Sequence, residues 1–334
     1  MKFKALFASV LFVFLLTSCT TVDKQKDGKI QDRSDERVIT AAGKATWRET
    51  LADITFVWVP GGCFDMGQTD SERNDLIADV KEEKYLNRYG DEILVHSVCV
   101  DGFWMSETVV TFAQFRKFIT ASGYRTDAEK EGFSRQWTDE WVTKKNYTWQ
   151  NAAQAGNPDS PVVNVSWQDA KAMATWLSRQ NSQIFRLPTE AQWEFACRAG
   201  KKTVRFWGDS PHNACSFANL ADQSARKKYK DIAIHDCDDG YIETSPTASF
   251  QPNAFGLYDL LGNVWEWCED WYGENYYQVS PEQNPKGPAS GDYRVMRGGF
   301  WLSGPNDARC ANRSREIPQG RADMYGFRLV MIPK

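Results

Sequence analysis

The sequence predicts a loop-rich α+β domain, and three observations carry that expectation. Runs rich in β-branched and aromatic residues near the start of the body (Thr55–Val59) and short apolar-polar runs at its end (Tyr293–Arg297, Gly326–Met331) read as strands. Between them, three Ser/Thr residues followed three positions later by Asp or Gln open helical patterns. Beyond Gly200 the chain turns to Asn, Asp, Gly and aromatic residues with few periodic signals, as long loops with a functional or metal-held role do.

In order along the chain, Thr55–Val59, the turn Pro60-Gly61-Gly62 and Cys63–Gly67 form a first strand pair. Asp70 to Asp91 is highly charged and long for a connection, which predicts a surface excursion. Leu94 to Met105 alternates loosely and is a further strand candidate. Thr111 with Gln114 caps a helix that places Phe112, Phe115 and Ile119 on one face. Ser166 with Asp169 caps a second, in which Ala170, Met173, Ala174 and Leu177 recur at helical spacing. Thr189 with Gln192 caps a third, ended by Gly200 in the C′ position. The two closing strands flank about 28 residues, and no internal repeat is visible.

The N-terminus and the charge bound the setting. Forty Lys+Arg against 44 Asp+Glu give a net charge of -4, which leaves no basic footprint for nucleic acid. The body has no apolar run long enough to span a bilayer. Lys2 and Lys4 precede an apolar stretch from Ala5 to Leu16, the pattern of a secretory signal peptide over residues 1–18. Leu16-Thr17-Ser18-Cys19 resembles a bacterial lipobox, which implies lipidation of Cys19 and anchorage in the bacterial envelope, on the outer surface, through the lipid alone. Residues 19–44 read as a polar tether and 45–334 as one domain. Loss of the two leader lysines takes the formal charge to about −6. Export permits disulfides, and with Cys19 lipidated seven cysteines remain, so at least one stays unpaired within the chain.

Several ordered stretches resemble the formylglycine-generating-enzyme/sulfatase-modifying-factor family. They are Phe64-x-Met66-Gly67, Pro161-Val162-x-x-Val165-Ser166-Trp167-x-Asp169-Ala170, Arg186-Leu187-Pro188-Thr189-Glu190-Ala191-Gln192-Trp193-Glu194, Pro252-Asn253-Ala254-Phe255-Gly256-Leu257-Tyr258-Asp259, Gly262-Asn263-Val264-Trp265-Glu266-Trp267, Arg297-Gly298-Gly299 and Gly326-Phe327-Arg328. The resemblance runs from about residue 55 to 332. It implies a C-type-lectin-like core: a small twisted antiparallel sheet, two or three helices and long irregular loops. Most of these motifs read as scaffold, with Trp193, Trp265 and Trp267 as core aromatics and Arg186 and Arg328 in buried ion pairs with helix carboxylates.

The family's oxidases use two cysteines after the Arg-Gly-Gly strand to hold copper and convert a sulfatase cysteine to formylglycine. Here that interval has no cysteine before Cys310; Ser303 stands at the first expected position, and a hydroxyl cannot replace the soft thiolate that Cu(I) needs. The expectation is therefore no copper and no enzyme of that kind. The resemblance implies a Cys197–Cys310 disulfide. Cys215 and Cys237 flank one loop and Cys63 and Cys99 lie in candidate strands, pairings that stay open; Cys268 is left over. His96, His212 and His235 have no zinc-ligand spacing. Structural calcium is the metal expectation. The resemblance assigns Asp259, Gly262, Val264 and Glu266 to one site, and Asn219, Leu220, Asp239 and Tyr241 to a second. Gln251-Pro252-Asn253 has the residue types of a calcium-lectin sugar triplet, but the family uses this stretch as loop scaffold.

Within about 293–328, family positions alternate with an arbitrary mix. The mixed positions are Phe300, Leu302, Ser303, Gly304, Asn306 and Asp307, then Ser314, Glu316, Ile317, Gln319, Ala322, Asp323 and Met324. Asn codons mutated at adenine scatter into most of such a set, though not into Glu, Gln or Met. A C-terminal segment of this kind on this scaffold resembles the variable proteins of diversity-generating retroelements, most of all the exported Treponema form. That resemblance implies a ligand-binding protein whose thirteen mixed positions contact an extracellular protein or other surface ligand. A non-copper enzyme of the family and a structural envelope lipoprotein are the alternatives.

Overall fold

The computed structural model describes residues 38–39, 45–152 and 155–332; the expected leader, Cys19 and most of the expected tether lie outside the described residues. Strands β1 (Val38–Ile39), β2 (Ala45–Glu49), β3 (Ile54–Val59) and β4 (Gly62–Met66) lead into helices α1 (Asp70–Val80) and α2 (Glu82–Tyr89). Strands β5 (His96–Val100) and β6 (Phe103–Ser106) follow, then helices α3 (Phe112–Ser122) and α4 (Asp127–Glu131) and the hairpin β7 (Phe133–Trp137) with β8 (Trp141–Lys145). Next come α5 (Trp167–Gln180), β9 (Ile184–Arg186), α6 (Glu190–Arg198) and the single turn α7 (Gln223–Arg226). Strands β10 (Trp265–Trp271), β11 (Arg294–Arg297), β12 (Arg313–Glu316), β13 (Tyr325–Gly326) and β14 (Val330–Ile332) close the chain.

The main sheet has the order β1-β2-β3-β6-β14-β9, and all its pairs are antiparallel. It takes in Val38–Ile39, paired with β2 inside the segment expected as tether. Period-two alternation divides its side chains between two cores. Phe56, Trp104 and Met331 face the side of α3 and α5, with Phe115, Met173 and Leu177. Val57, Met105 and Val330 face the side of α6, with Trp193 and Phe195. A second sheet, β12-β11-β10-β13, lies beyond; β10 and β13 run parallel and the other pairs antiparallel.

All three expected helices begin at the expected capping boxes, Thr111/Gln114, Ser166/Asp169 and Thr189/Gln192. At the end of α6, Ala199 and Gly200 both adopt left-handed backbone, with φ of 44° and 79°. Four expectations need correction. The expected first strand pair does not form: β3 lies between β2 and β6, and β4 pairs with β5 in a separate ribbon. The charged excursion from Asp70 is two helices, opened by a further capping box of Thr69 and Glu72 and fastened by buried Leu76, Tyr85 and Tyr89. Leu94–Met105 is two strands, broken between Val100 and Phe103. The last strand is likewise two, because Phe327, Arg328 and Leu329 leave the ladder to bury their side chains.

Cys197 and Cys310 are bonded, tying α6 to the C-terminal loop. The open pairings resolve as Cys63–Cys99, across β4 and β5, and Cys215–Cys237; Cys268 is free and buried.

Candidate functional site

The C-terminal loop lies against α6 because buried arginines reach helix carboxylates. Arg313 Nε and Nη2 donate to Glu190 at 2.7 and 3.0 Å, and Arg297 reaches both Glu190 and Glu194. Burial pushes the Glu190 carboxyl up, but Arg313 and Arg297 together outweigh it and hold the group below its ordinary value. Arg309 grips Glu92 with two bonds of 2.7 and 2.8 Å, fastening the same loop to the turn after α2. Such pairs are costly to break, since removing one partner strands a buried charge. The ion-pair expectation for Arg186 and Arg328 is corrected accordingly. Arg328 pairs with Glu266 on strand β10, and Arg186 donates to the Leu187 carbonyl at 2.8 Å.

These fastenings leave a cleft of about 460 Å³ between α2, β10, β12 and the loop from Phe300. One wall is Leu86, Asn87, Arg88 and Tyr89 from α2. Trp265, Tyr272 and Phe300 supply rings, and Asn312, Arg313, Ser314 and Arg315 supply polar groups. The Trp265 and Phe300 rings lie 6.4 Å apart and nearly parallel. Tyr89 Oη and Arg88 Nη2 both donate to the Asp307 carboxylate, at 2.8 and 2.7 Å, closing the wall on the loop. Arg315 Nη1 donates to Tyr272 Oη, which in turn donates to Asp91.

The structure gathers Phe300, Ser303, Asp307 and Ser314 of the mixed positions at this cleft. Leu302 and Asn306 are half-buried nearby in sequence, and Gln319 and Ile317 are exposed, Ile317 by 44%. Glu316 is occupied by Arg135 and by the Tyr325 hydroxyl at 3.2 Å. The buried positions among the thirteen are corrected. Ala322 and Met324, 0% and 2% exposed, are core residues. Gly304 is buried with the Ala233 carbonyl where a side chain would start, only 2.9 Å away. Ser303 is 1% exposed, and its Oγ accepts from Phe300 N at 3.0 Å. Asp323 is buried, and its Oδ1 accepts from Trp137 N at 3.3 Å. Sequence reasoning missed the α2 wall. The signal was the pair Tyr85 and Tyr89, four residues apart in a charged run, which marks a helix with one buried face. Trp265, expected in the core with Trp193 and Trp267, is half-buried and lines the cleft.

The two expected calcium sets lie side by side, with Asn263 N donating to the Asn219 carbonyl at 2.8 Å. In the second set the Asp239 carboxylate accepts from Leu220 N (3.1 Å) and Tyr241 N (2.8 Å), and Asp222 approaches Asp239 N. Asn219 Oδ1 is buried without a partner. Burial, with the charge of Asp222, pushes Asp239 up to about 7. Two crowded carboxylates, Asp222 and Asp239, fit a hard cation; Cys215, close to both, is spent in its disulfide. The first set fits less well. Both oxygens of Glu266 take Arg328, at 2.7 and 2.8 Å, and Trp193 Nε1 adds a third bond. Asp259 is pushed up to about 6 by burial, against the hydrogen bond from Ala248 N and the charge of Arg328. Gly262 packs against the Asn219 carbonyl, and Val264 is buried among apolar residues. Asn253 is scaffold, its amide oxygen accepting from Phe255 N and Leu257 N.

A family model described as the sulfatase-modifying factor enzyme 1-like domain matches residues 43–332. The formylglycine-generating enzyme of Streptomyces coelicolor is 35% identical over 298 residues, covering 81% of this chain and 87% of that one. The structure of PvdO from Pseudomonas aeruginosa is similar with a TM-score of 0.67 and 26% identity, over 86% of this chain and 98% of the other. Treponema denticola variable protein 1 is similar with a TM-score of 0.63 over 86% and 99%; at 21% identity this is a likeness of fold. The α+β arrangement of small antiparallel sheets, few helices and long loops is the C-type-lectin-like fold these proteins share.

Proposed function

The chain belongs to the sulfatase-modifying factor family, and on that premise we propose that it is a ligand-binding member without formylglycine-generating activity, displayed on the envelope through a lipid on Cys19. The ligand sits in the cleft between α2 and the loop from Phe300, and the exposed mixed positions around it carry diversity. One observation supports this above the others: the cleft is lined by Ser303 and by no cysteine. Among the described residues six cysteines are in disulfides, and the free one, Cys268, is buried with its thiol pushed well above its ordinary value by burial. A thiolate pair for copper is therefore lacking at the loop where the family's oxidases hold theirs. That a protein of the same fold is Treponema denticola variable protein 1 accords with the diversity.

Two measurements test the reading. Sequencing the coding segment for residues 293–328 across a cell population should show substitutions concentrated at Leu302, Asn306, Ser314, Ile317 and Gln319; a uniform segment would remove the diversification. Incubation with copper(I), oxygen and a sulfatase-derived cysteine peptide should leave the peptide mass unchanged, and aldehyde formation would restore the enzyme alternative.

Calcium belongs to the same proposal, held by the set Asn219, Leu220, Asp239 and Tyr241 with Asp222 beside Asp239, and stiffening the loop behind Ser303. Ala221, between Leu220 and Asp222, donates its N–H to the Ser303 carbonyl at 3.1 Å. Added calcium should raise the Tm of the wild type and not of Asn219→Ala. An equal rise in both would locate the ion elsewhere.

A further inference from the structure

The cleft has a chemistry more specific than its shape. Its tyrosine rings are already covered: the Arg309 guanidinium lies over Tyr89 at 5.0 Å, and Arg315 and Arg313 lie over Tyr272 at 4.4 and 5.0 Å. Among the described residues no cation lies over Trp265 or Phe300, whose rings stack with centroids 6.4 Å and planes 27° apart and make an apolar aromatic shelf in the cleft. Around that shelf the groups are polar and balanced in charge. Arg88 is matched by Asp307, and Arg313 by Glu190 and Asp91. Asn87, Ser314 and the exposed Arg315 offer an amide, a hydroxyl and a guanidinium at the rim.

We infer that the cleft binds a neutral saccharide, one pyranose ring packed against the aromatic pair Trp265 and Phe300 with its hydroxyls turned to Asn87, Ser314 and Arg315. This rests on the ligand-binding reading above and names the ligand class. A pyranose has an apolar C–H face and a rim of hydroxyls, which matches an aromatic floor inside a polar wall. An aromatic or aliphatic side chain from a peptide would satisfy the floor, yet would desolvate the rim groups without replacing their hydrogen bonds, and unpaired polar groups count heavily against a ligand. A strongly anionic or cationic ligand would meet a wall whose charges are mostly neutralised in place. The volume of about 460 Å³ suits a small glycan unit. The contacts also divide the labour. Trp265 belongs to β10, outside the mixed segment, so ring stacking is constant, while Phe300 and Ser314 are mixed positions that adjust which sugar is preferred.

The test uses the full chain titrated with cellobiose, lactose and N,N′-diacetylchitobiose, followed by tryptophan fluorescence and saturation-transfer NMR. At least one should bind saturably, with transfer strongest to the C–H protons of one ring face. Trp265→Ala and Phe300→Ala should each weaken it by roughly tenfold or more, Trp265→Phe should recover most of the loss, and Val279→Ala, at an exposed position away from the cleft, should change nothing. Because Trp265 and Phe300 also pack on the core, their alanine variants melt lower and are compared at a temperature where circular dichroism shows them folded. Saturable binding that survives both alanine variants, or no saccharide binding at all, overturns the assignment. An extended hexapeptide series is run alongside. If peptides bind and Trp265→Ala abolishes it, the ligand-binding reading stands and the saccharide falls. If neither class binds and the coding segment is uniform, both fall.

Discussion

Asp270 is a carboxyl buried among other carboxyls. Its Oδ2 accepts from Glu190 N at 2.9 Å, and burial, then the charge of Glu190, push it up to about 8. A carboxyl whose value is higher in the folded chain than the ~3.9 of the unfolded chain takes up a proton on folding. Its contribution to stability is therefore full below the ordinary carboxylate range and is lost as pH rises through about 8. Asp270→Asn keeps an acceptor for Glu190 N and removes the titration. The variant should gain on the wild type as pH rises from about 5 to about 8.5, by up to a few kcal/mol, measured by urea denaturation at both values. A gain that is the same at both would show that Asp270 does not carry this proton. At the residue scale, the sequence marked Arg297 and Arg328 as family positions but could not name the partners of these or of Arg309 and Arg313. Glu92 and Glu190 are 217 and 123 residues from Arg309 and Arg313, and a partner at that range is set by the packing of whole elements.

The elements were legible where local chemistry decides them. Each of the three expected helices has both halves of its capping box in place, because those bonds lie within one turn. Helices α1 and α2 were hidden because few of their side chains are apolar, and their burial depends on Tyr85 and Tyr89 meeting Leu76. Strand β10 was hidden for the opposite reason: its Trp, Glu and Cys side chains are buried or half-buried throughout, so no alternation shows. The crosslinks between elements differ in access. Cys63 is exposed on its edge ribbon, whereas Cys197 and Cys310 are both 0% exposed in the α6 core. The latter closes a separation of 113 residues, a constraint of about 4–5 kcal/mol in the chain-entropy account. Graded reduction followed by alkylation and mass mapping should label Cys63 and Cys99 first, with the folded signal retained. Cys197, Cys310 and the buried Cys268 should label together, as the fold is lost. Early labelling of Cys310 would contradict the packing around α6.

For the molecule as a whole, the question is how one scaffold can vary a segment that also completes its core. Strand β12 and the loop before it touch the cleft, yet the same segment delivers Arg313 to α6 and Met324 to the core beneath β10. The backbone resolves the conflict by separating the two duties. Trp265 N donates to the Met324 carbonyl, Asn164 N to the Ala322 carbonyl and Ala221 N to the Ser303 carbonyl, at 2.9, 2.9 and 3.1 Å, so the chain path is held from outside the segment. Side chains pointing away from those anchors are then free to change. Saturating Leu302, Asn306, Ser314, Ile317 and Gln319 one at a time should shift stability by no more than about 0.5 kcal/mol for most residue types. At Met324 the change to Ala should cost about 2–5 kcal/mol. At Ala322 and Gly304 any larger side chain meets packed atoms, in the second case the Ala233 carbonyl, and folded yield should fall. Asp307 belongs with these fixed positions despite its place at the cleft, because its carboxylate ties Arg88 and Tyr89 to the loop. Thermal melts of the single variants check the division. If Asp307 and Ala322 prove as tolerant as Ile317, the wall of α2 is not what shapes the cleft, and diversity extends into the scaffold itself.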